Sequence, residues 1–128
     1  MADNFTVTDA LISASELNSL DNQYSGTVDA SAVTTITGTA TDLITAYTSS
    51  GISGLGNEAI NVSSGSASTS QANTLAASTS GPVTATISDG DMATLADLNG
   101  TGNAYTITIT DTSVDAAALN TLDGKTTV

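Results

Sequence analysis

Two short acidic stretches hold the side chains best suited to chemistry. "SDGDMA" sets Asp89 and Asp91 around Gly90, and "TDTSVD" sets Asp111 near Asp115. Carboxylate oxygens at alternating positions beside a glycine form a donor set for calcium, which takes roughly six to eight oxygens. Neither stretch has the spacing of an EF-hand loop, and the glycine-rich nonapeptide of calcium β-rolls is absent. Asp before a turn or at a helix start more often caps backbone N–H groups. That reading assigns these four residues no metal and no cofactor. Asp89 and Asp91 would hydrolyse a sugar only if set across a cleft, and two turn carboxylates are better read as solvated.

Other chemistry has less to work with. The chain has no His and no Cys, so the usual general base, the thiol nucleophile and Cys-based zinc sites are missing. Lys125 is the single basic residue. Ser is abundant but inert without a base beside it. "GLGNEA" lacks the Lys and the helix-opening Ser/Thr of a phosphate loop. Pairs of hydroxyls, Thr6 and Thr8, Thr86 and Ser88, Thr108 and Thr110, flank apolar residues; the corresponding middle pair is Asn61 and Ser63. A flat Thr array can order water, but exposed strand Thr is common because Thr suits strands. The expectation is a chain without catalytic residues.

The composition narrows the partners. Thirteen acidic residues against one basic give a net charge of −12. A nucleic-acid binder needs a basic surface to release counterions, and none exists. An anionic membrane surface would repel the chain, and no apolar run approaches the length of a membrane span. "MADNFTVTDALISAS" lacks the basic and apolar regions of a secretory signal, so export would need another route. Hydrophobic residues make up 39% but aromatics only 3%, so the core must be thin and built from Ala, Val, Ile and Leu. About a third of the residues are Ser or Thr.

What positions these residues is a repeat. "SASELNSLDNQYSG" near the start and "AAALNTLDGKTTV" at the end share Leu, two polar positions, Leu and an acidic residue. The phrase recurs around Leu95, and weaker copies place Leu43 and Ala72 in the same slot. The slots at 17, 43, 72, 95 and 119 advance by 26, 29, 23 and 24 residues. Before each slot stands an alternating phrase: "FTVTD", "AVTTI", "AINVSS", "VTATISD", "YTITITD". Alternation of β-branched residues predicts a strand with Val7, Val62, Ile87 and Ile109 inward and their Thr, Asn and Ser neighbours outward.

The Leu phrase predicts a short helix. Ser13 with Glu16 and Thr39 with Asp42 have capping-box spacing, and Gly100, Gly124 and Asn22 are placed as left-handed stops. "SSGISGLGN" (49–57) reads as a bulge between the second and third units. The expected fold is an α/β solenoid of about five coils, each a short parallel strand plus a short helix. It forms a single repeat domain over 1–128, with units at 1–26, 27–54, 55–81, 82–103 and 104–128. Val7, Val62, Ile87 and Ile109 should stack in one column, and Leu17, Leu43, Leu95 and Leu119 in a second. Helices are about 10 Å wide but strands repeat every ~4.8 Å, so the stack must curve unless some helices tilt or shrink to single turns. A small α/β domain with coincidental similarities would leave the repeated order of two phrases unexplained.

Residues 27–62 and 111–128 resemble most closely the Ala/Thr/Asp-rich repeats of very large proteins of marine bacteria, cyanobacteria prominent among them. The stretches that carry the resemblance are "TVDASAVTTITGTATDLITAYTSSGISGLGNEAINVS" and "TSVDAAALNTLDGKTTV". The resemblance implies an extracellular or cell-surface repeat region and no catalytic residues. The expected function is a structural spacer or surface scaffold in an adhesive setting. The alternative is a small binding module for calcium or surface glycan. Expected partners are further repeats of a longer parent chain and the chain itself, end to end through terminal units, more strongly as salt screens the charge.

Overall fold

The computed structural model describes residues 3–128. They fold as an α/β chain with parallel sheets and five helices: α1 (Ala14–Gln23), α2 (Ala40–Thr48), α3 (Thr69–Ser78), α4 (Met92–Leu95) and α5 (Ala116–Asp123). The strands are β1 (Phe5–Thr6), β2 (Leu11–Ser13), β3 (Val28–Asp29), β4 (Thr35–Gly38), β5 (Ile52–Ser53), β6 (Ala59–Val62), β7 (Val83–Thr86) and β8 (Ala104–Thr106). Every pairing between them is parallel. One open sheet has the order β1-β3-β5 and the other β2-β4-β6-β7-β8.

All five helices begin the same way. The side chains of Ser13, Thr39, Ser68, Asp91 and Asp115 each accept a hydrogen bond from the backbone N–H three residues on. These caps satisfy a donor that the helix itself cannot. Each Leu slot is the fourth residue past its cap, so caps and slots advance in step. Ser13 with Glu16 makes a reciprocal capping box; Thr39 accepts from the Asp42 N–H without a return bond from the shorter Asp. Ser68 with Gln71 makes a second full box that the sequence reading passed over.

The core is one cluster of small and branched apolar residues. Its central column is Ile12, Ile36, Ile60 and Val83, opposite one another across four strands. On the helix side Leu17, Leu43, Ala72 and Leu95 are fully buried at the shared slot, joined by Ala46, Leu75 and Leu98 three residues later. Inward and outward positions alternate as expected: Val7, Val62 and Ile87 are buried, and Thr6, Thr8, Asn61, Ser63, Thr86, Ser88, Thr108 and Thr110 are exposed.

Several expectations are corrected. Val7, Val62, Ile87 and Ile109 do not form one column. The Val7 N–H bonds the Asp29 carbonyl beside the three-stranded sheet, Val62 lies opposite Gly38 in the five-stranded sheet, and Ile87 bridges Ala67. The cause is a second strand ahead of each of α1, α2 and α3, where one was expected. β2 runs directly into the Ser13 cap, so its two residues of alternation were hidden in the helix phrase. "SSGISGLGN" is not a bulge: it contains β5, which pairs with β3 and extends the three-stranded sheet. Leu119 is not in the buried column but 40% exposed, and Leu122 packs inward instead. Gly124 ends α5 at φ −68°, a right-handed conformation, and Asn22 lies inside α1. Gly100 is left-handed at φ +86°, but it lies beyond the end of α4, which is only four residues long.

Candidate functional site

The four Asp residues singled out as calcium donors all face helix N-termini. Asp91 and Asp115 are the caps of α4 and α5. One Asp91 oxygen accepts from the Thr94 hydroxyl at 2.7 Å and the Thr94 N–H at 2.9 Å, and Asp115 accepts from the Ala118 N–H at 3.2 Å. The Thr94 hydroxyl and then its N–H hold the Asp91 carboxyl below the usual range. Asp89 and Asp111 reach back to the preceding unit. Asp89 accepts from the N–H of Thr69, the first residue of α3, at 2.8 Å, and Asp111 from that of Met92, the first residue of α4, at 2.7 Å. A carboxylate there also meets the positive end of the helix. Among the described residues no three acidic side chains gather as a metal site.

Sequence reasoning missed Glu58. It is fully buried, and its carboxylate accepts from the Tyr47 hydroxyl at 2.7 Å, the Gly56 N–H at 2.9 and 3.0 Å, and the Asn57 N–H at 3.2 Å. Burial first, then the hydrogen bond to Glu58, pushes the Tyr47 phenol far above its ordinary range. The arrangement fastens α2 to the turn that enters β6 and presents no reactive atom to solvent. The readable signal was "GLGNE", in which two glycines loosen the backbone just before an acid. Gly54 at φ +84° and Gly56 at φ +141° use that freedom, and Gly56 points its N–H at the carboxylate.

The outward hydroxyls do not form one rank. Thr6 belongs to β1 of the three-stranded sheet, whereas Thr86 belongs to β7 of the five-stranded one.

Two grooves lie in the first and the fifth unit. At one end a groove of about 380 Å³ is bordered by Phe5, Ile12, Glu16, Ser19 and Leu20, with Phe5 against Tyr24 at 4.9 Å between ring centres. At the other a groove of about 410 Å³ is lined by Tyr105, Ile107, Ile109, Leu119, Leu122 and Val128. Tyr105 is buried on its floor, and burial raises its phenol above the ordinary range. Of the large apolar residues that stay exposed, Val114, Leu119 and Val128 belong to this last unit.

Helix-facing side chains also tie successive units. Asn18 donates to the Asp42 carbonyl at 3.1 Å, Asn73 to the Asp97 carbonyl at 2.9 Å, and Lys125 to the Ala96 carbonyl at 2.9 Å. The site thus consists of polar groups turned onto the chain's own backbone and two open end faces. No family model, curated protein or solved structure matches the chain.

Proposed function

We propose that this chain is a non-catalytic structural repeat module: about five coils of an α/β solenoid, acting as a spacer or surface scaffold. The setting is an extracellular or cell-surface protein, where an adhesive role and a strongly acidic surface are compatible. One observation carries the reading. The four Asp side chains that looked fit for chemistry, and the buried carboxylate of Glu58, are engaged in holding one unit to itself or to the next. Asp91 and Asp115 cap their own helices, Asp89 and Asp111 bond the preceding one, and Glu58 closes a turn. A repeat that cannot bury its apolar face alone gains stability from its neighbours, and the shared slot at Leu17, Leu43, Ala72 and Leu95 serves that end.

Calorimetric titration tests the reading. Calcium, and separately a panel of surface glycans, should give no saturable heat. A saturable heat at stoichiometric ratio would replace the spacer with a binding module.

A further inference from the structure

We infer that copies of this chain stack head to tail, the first unit of one copy seating on the open face of the fifth unit of another. This rests on the repeat-module reading and names the partner of its end face.

The helices carry the first observation. In α1, "LNSLD" presents Leu17, Asn18 and Asp21 to the second unit. Leu17 is fully buried, Asn18 donates to the Asp42 carbonyl at 3.1 Å, and the Ser49 hydroxyl donates to Asp21 at 2.6 Å. In α5, "LNTLD" sets Leu119, Asn120 and Asp123 at the same distances from the cap. There Leu119 is 40% exposed, and the side chains of Asn120 and Asp123 are exposed with no hydrogen bond among the described residues. A face that binds a neighbouring unit at one end of the chain is displayed uncovered at the other.

The strand edge carries the second. The Thr126 hydroxyl donates to the Tyr105 carbonyl at 2.9 Å and the Thr127 N–H to the Asn103 carbonyl at 2.9 Å. These bonds reproduce those of the Thr79 hydroxyl to the Glu58 carbonyl at 2.6 Å and the Ser80 N–H to the Gly56 carbonyl at 2.8 Å. After Ser80 the chain enters β7, where Val83 pairs with Ile60, two residues beyond Glu58. The equivalent of Ile60 is Ile107, two beyond Tyr105. Among the described residues the backbone groups of Ile107 and Ile109 make no hydrogen bond. The segment Thr126–Thr127 therefore leads up to the seat of a further strand, which no described residue fills. At the far edge of the same sheet lies β2, with no strand on its outer side among the described residues. Laid against Ile107, β2 of a second copy continues the sheet in parallel. It sets Ile12 and Leu20 over the apolar groove that Leu119, Ile107 and Ile109 line.

The contact joins two different surfaces, so it does not close by symmetry and propagates into short filaments. The charge of −12 on each copy opposes it, and salt shortens that repulsion.

Sedimentation from low salt to about 1 M should show mass rising in steps of 12.6 kDa, more steeply in salt. Two variants at exposed positions block one end each: Leu119→Glu on the fifth unit and Ser19→Glu on the first. Each alone should associate at least about tenfold more weakly, with an unchanged far-ultraviolet spectrum. Mixed in equal amounts they should recover a one-to-one dimer that grows no further. A strict monomer of the parent chain at high concentration and high salt overturns the inference. So does a dimer of Ser19→Glu alone, which would join two fifth units, or a mixture that stays monomeric. A failure here with silent calcium and glycan titrations removes the stacking and leaves the repeat-module reading in place.

Discussion

Asp111 of the fifth unit holds the backbone N–H of Met92, the first residue of α4, at 2.7 Å. The helix it serves is a single turn of four residues, too short to persist by its own hydrogen bonds. Its N-terminus is fixed from two sides, by its own Asp91 and by Asp111 from the next unit. Asp111→Ala should cost about 1 kcal/mol, the usual value of a lost cap. Urea denaturation measures the loss. Hydrogen exchange should quicken first around Met92–Leu95, and a loss confined to the fifth unit would contradict the role.

The Tyr47–Glu58 bond predicts coupled losses. Tyr47→Phe removes one of the donors to a fully buried carboxylate, which should cost about 1–3 kcal/mol. Glu58→Gln turns an amide N–H toward the donors that the carboxylate now accepts, and should cost a similar amount. Because both changes break the same network, the double variant should lose less than the two losses added together. Additive losses in a double-mutant cycle would show that the pair does not act as a unit.

How much of this was legible beforehand depends on whether a residue's role was local. The Ser13–Glu16 box and the inward placement of Val7 and Val62 follow from neighbours in sequence, and the structure has them. The second strand in the early units was not legible. β2 spans only Leu11–Ser13 and meets its helix cap without a turn residue between, so no punctuation marks it. Glu58 was hidden for a different reason. Its partner Tyr47 sits on the preceding helix, and the N–H groups it accepts are backbone, which has no sequence signature beyond Gly54 and Gly56. Leu119 is 40% exposed although the helix phrase around it matches that of the buried Leu17, because the phrase marks the slot and not what packs over it.

Stability should fall at both ends of the pH scale for identifiable reasons. Burial holds the Tyr47 and Tyr105 phenols above the ordinary value, and the bond to Glu58 adds to the rise at Tyr47. A raised phenol keeps its proton in the fold after the unfolded chain has released it at about pH 10. Its contribution is therefore complete below that pH and lost as pH rises beyond it. On the acid side the Ser13 hydroxyl and N–H lower Glu16, and Thr94 lowers Asp91 in the same way. Those contributions are present above the ordinary carboxylate range near pH 4 and fade as pH falls through the lowered values. Denaturation midpoints across the scale should form a plateau with two shoulders. Tyr47→Phe should flatten the alkaline shoulder, and an unchanged shoulder would mean that this phenol does not titrate with unfolding.

Leu95 and Leu119 occupy the same slot, four residues past Asp91 and Asp115, yet Leu95 is fully buried and Leu119 is 40% exposed. That makes them a controlled pair. Leu95→Ala removes methyl groups from packing on all sides and leaves a cavity, which should cost about 2–5 kcal/mol. Leu119→Ala, at a dilution where the chain is monomeric, should cost less than about 1 kcal/mol, as surface changes usually do. The Leu95 loss should also be uneven along the chain. In a quasi-one-dimensional array a weakened unit loosens the units that touch it before distant ones. Hydrogen exchange in Leu95→Ala should therefore rise most around α4 and α5 and least in α1 and β1. An even rise from one end of the chain to the other would mean that the fold melts as one cooperative block rather than as linked units.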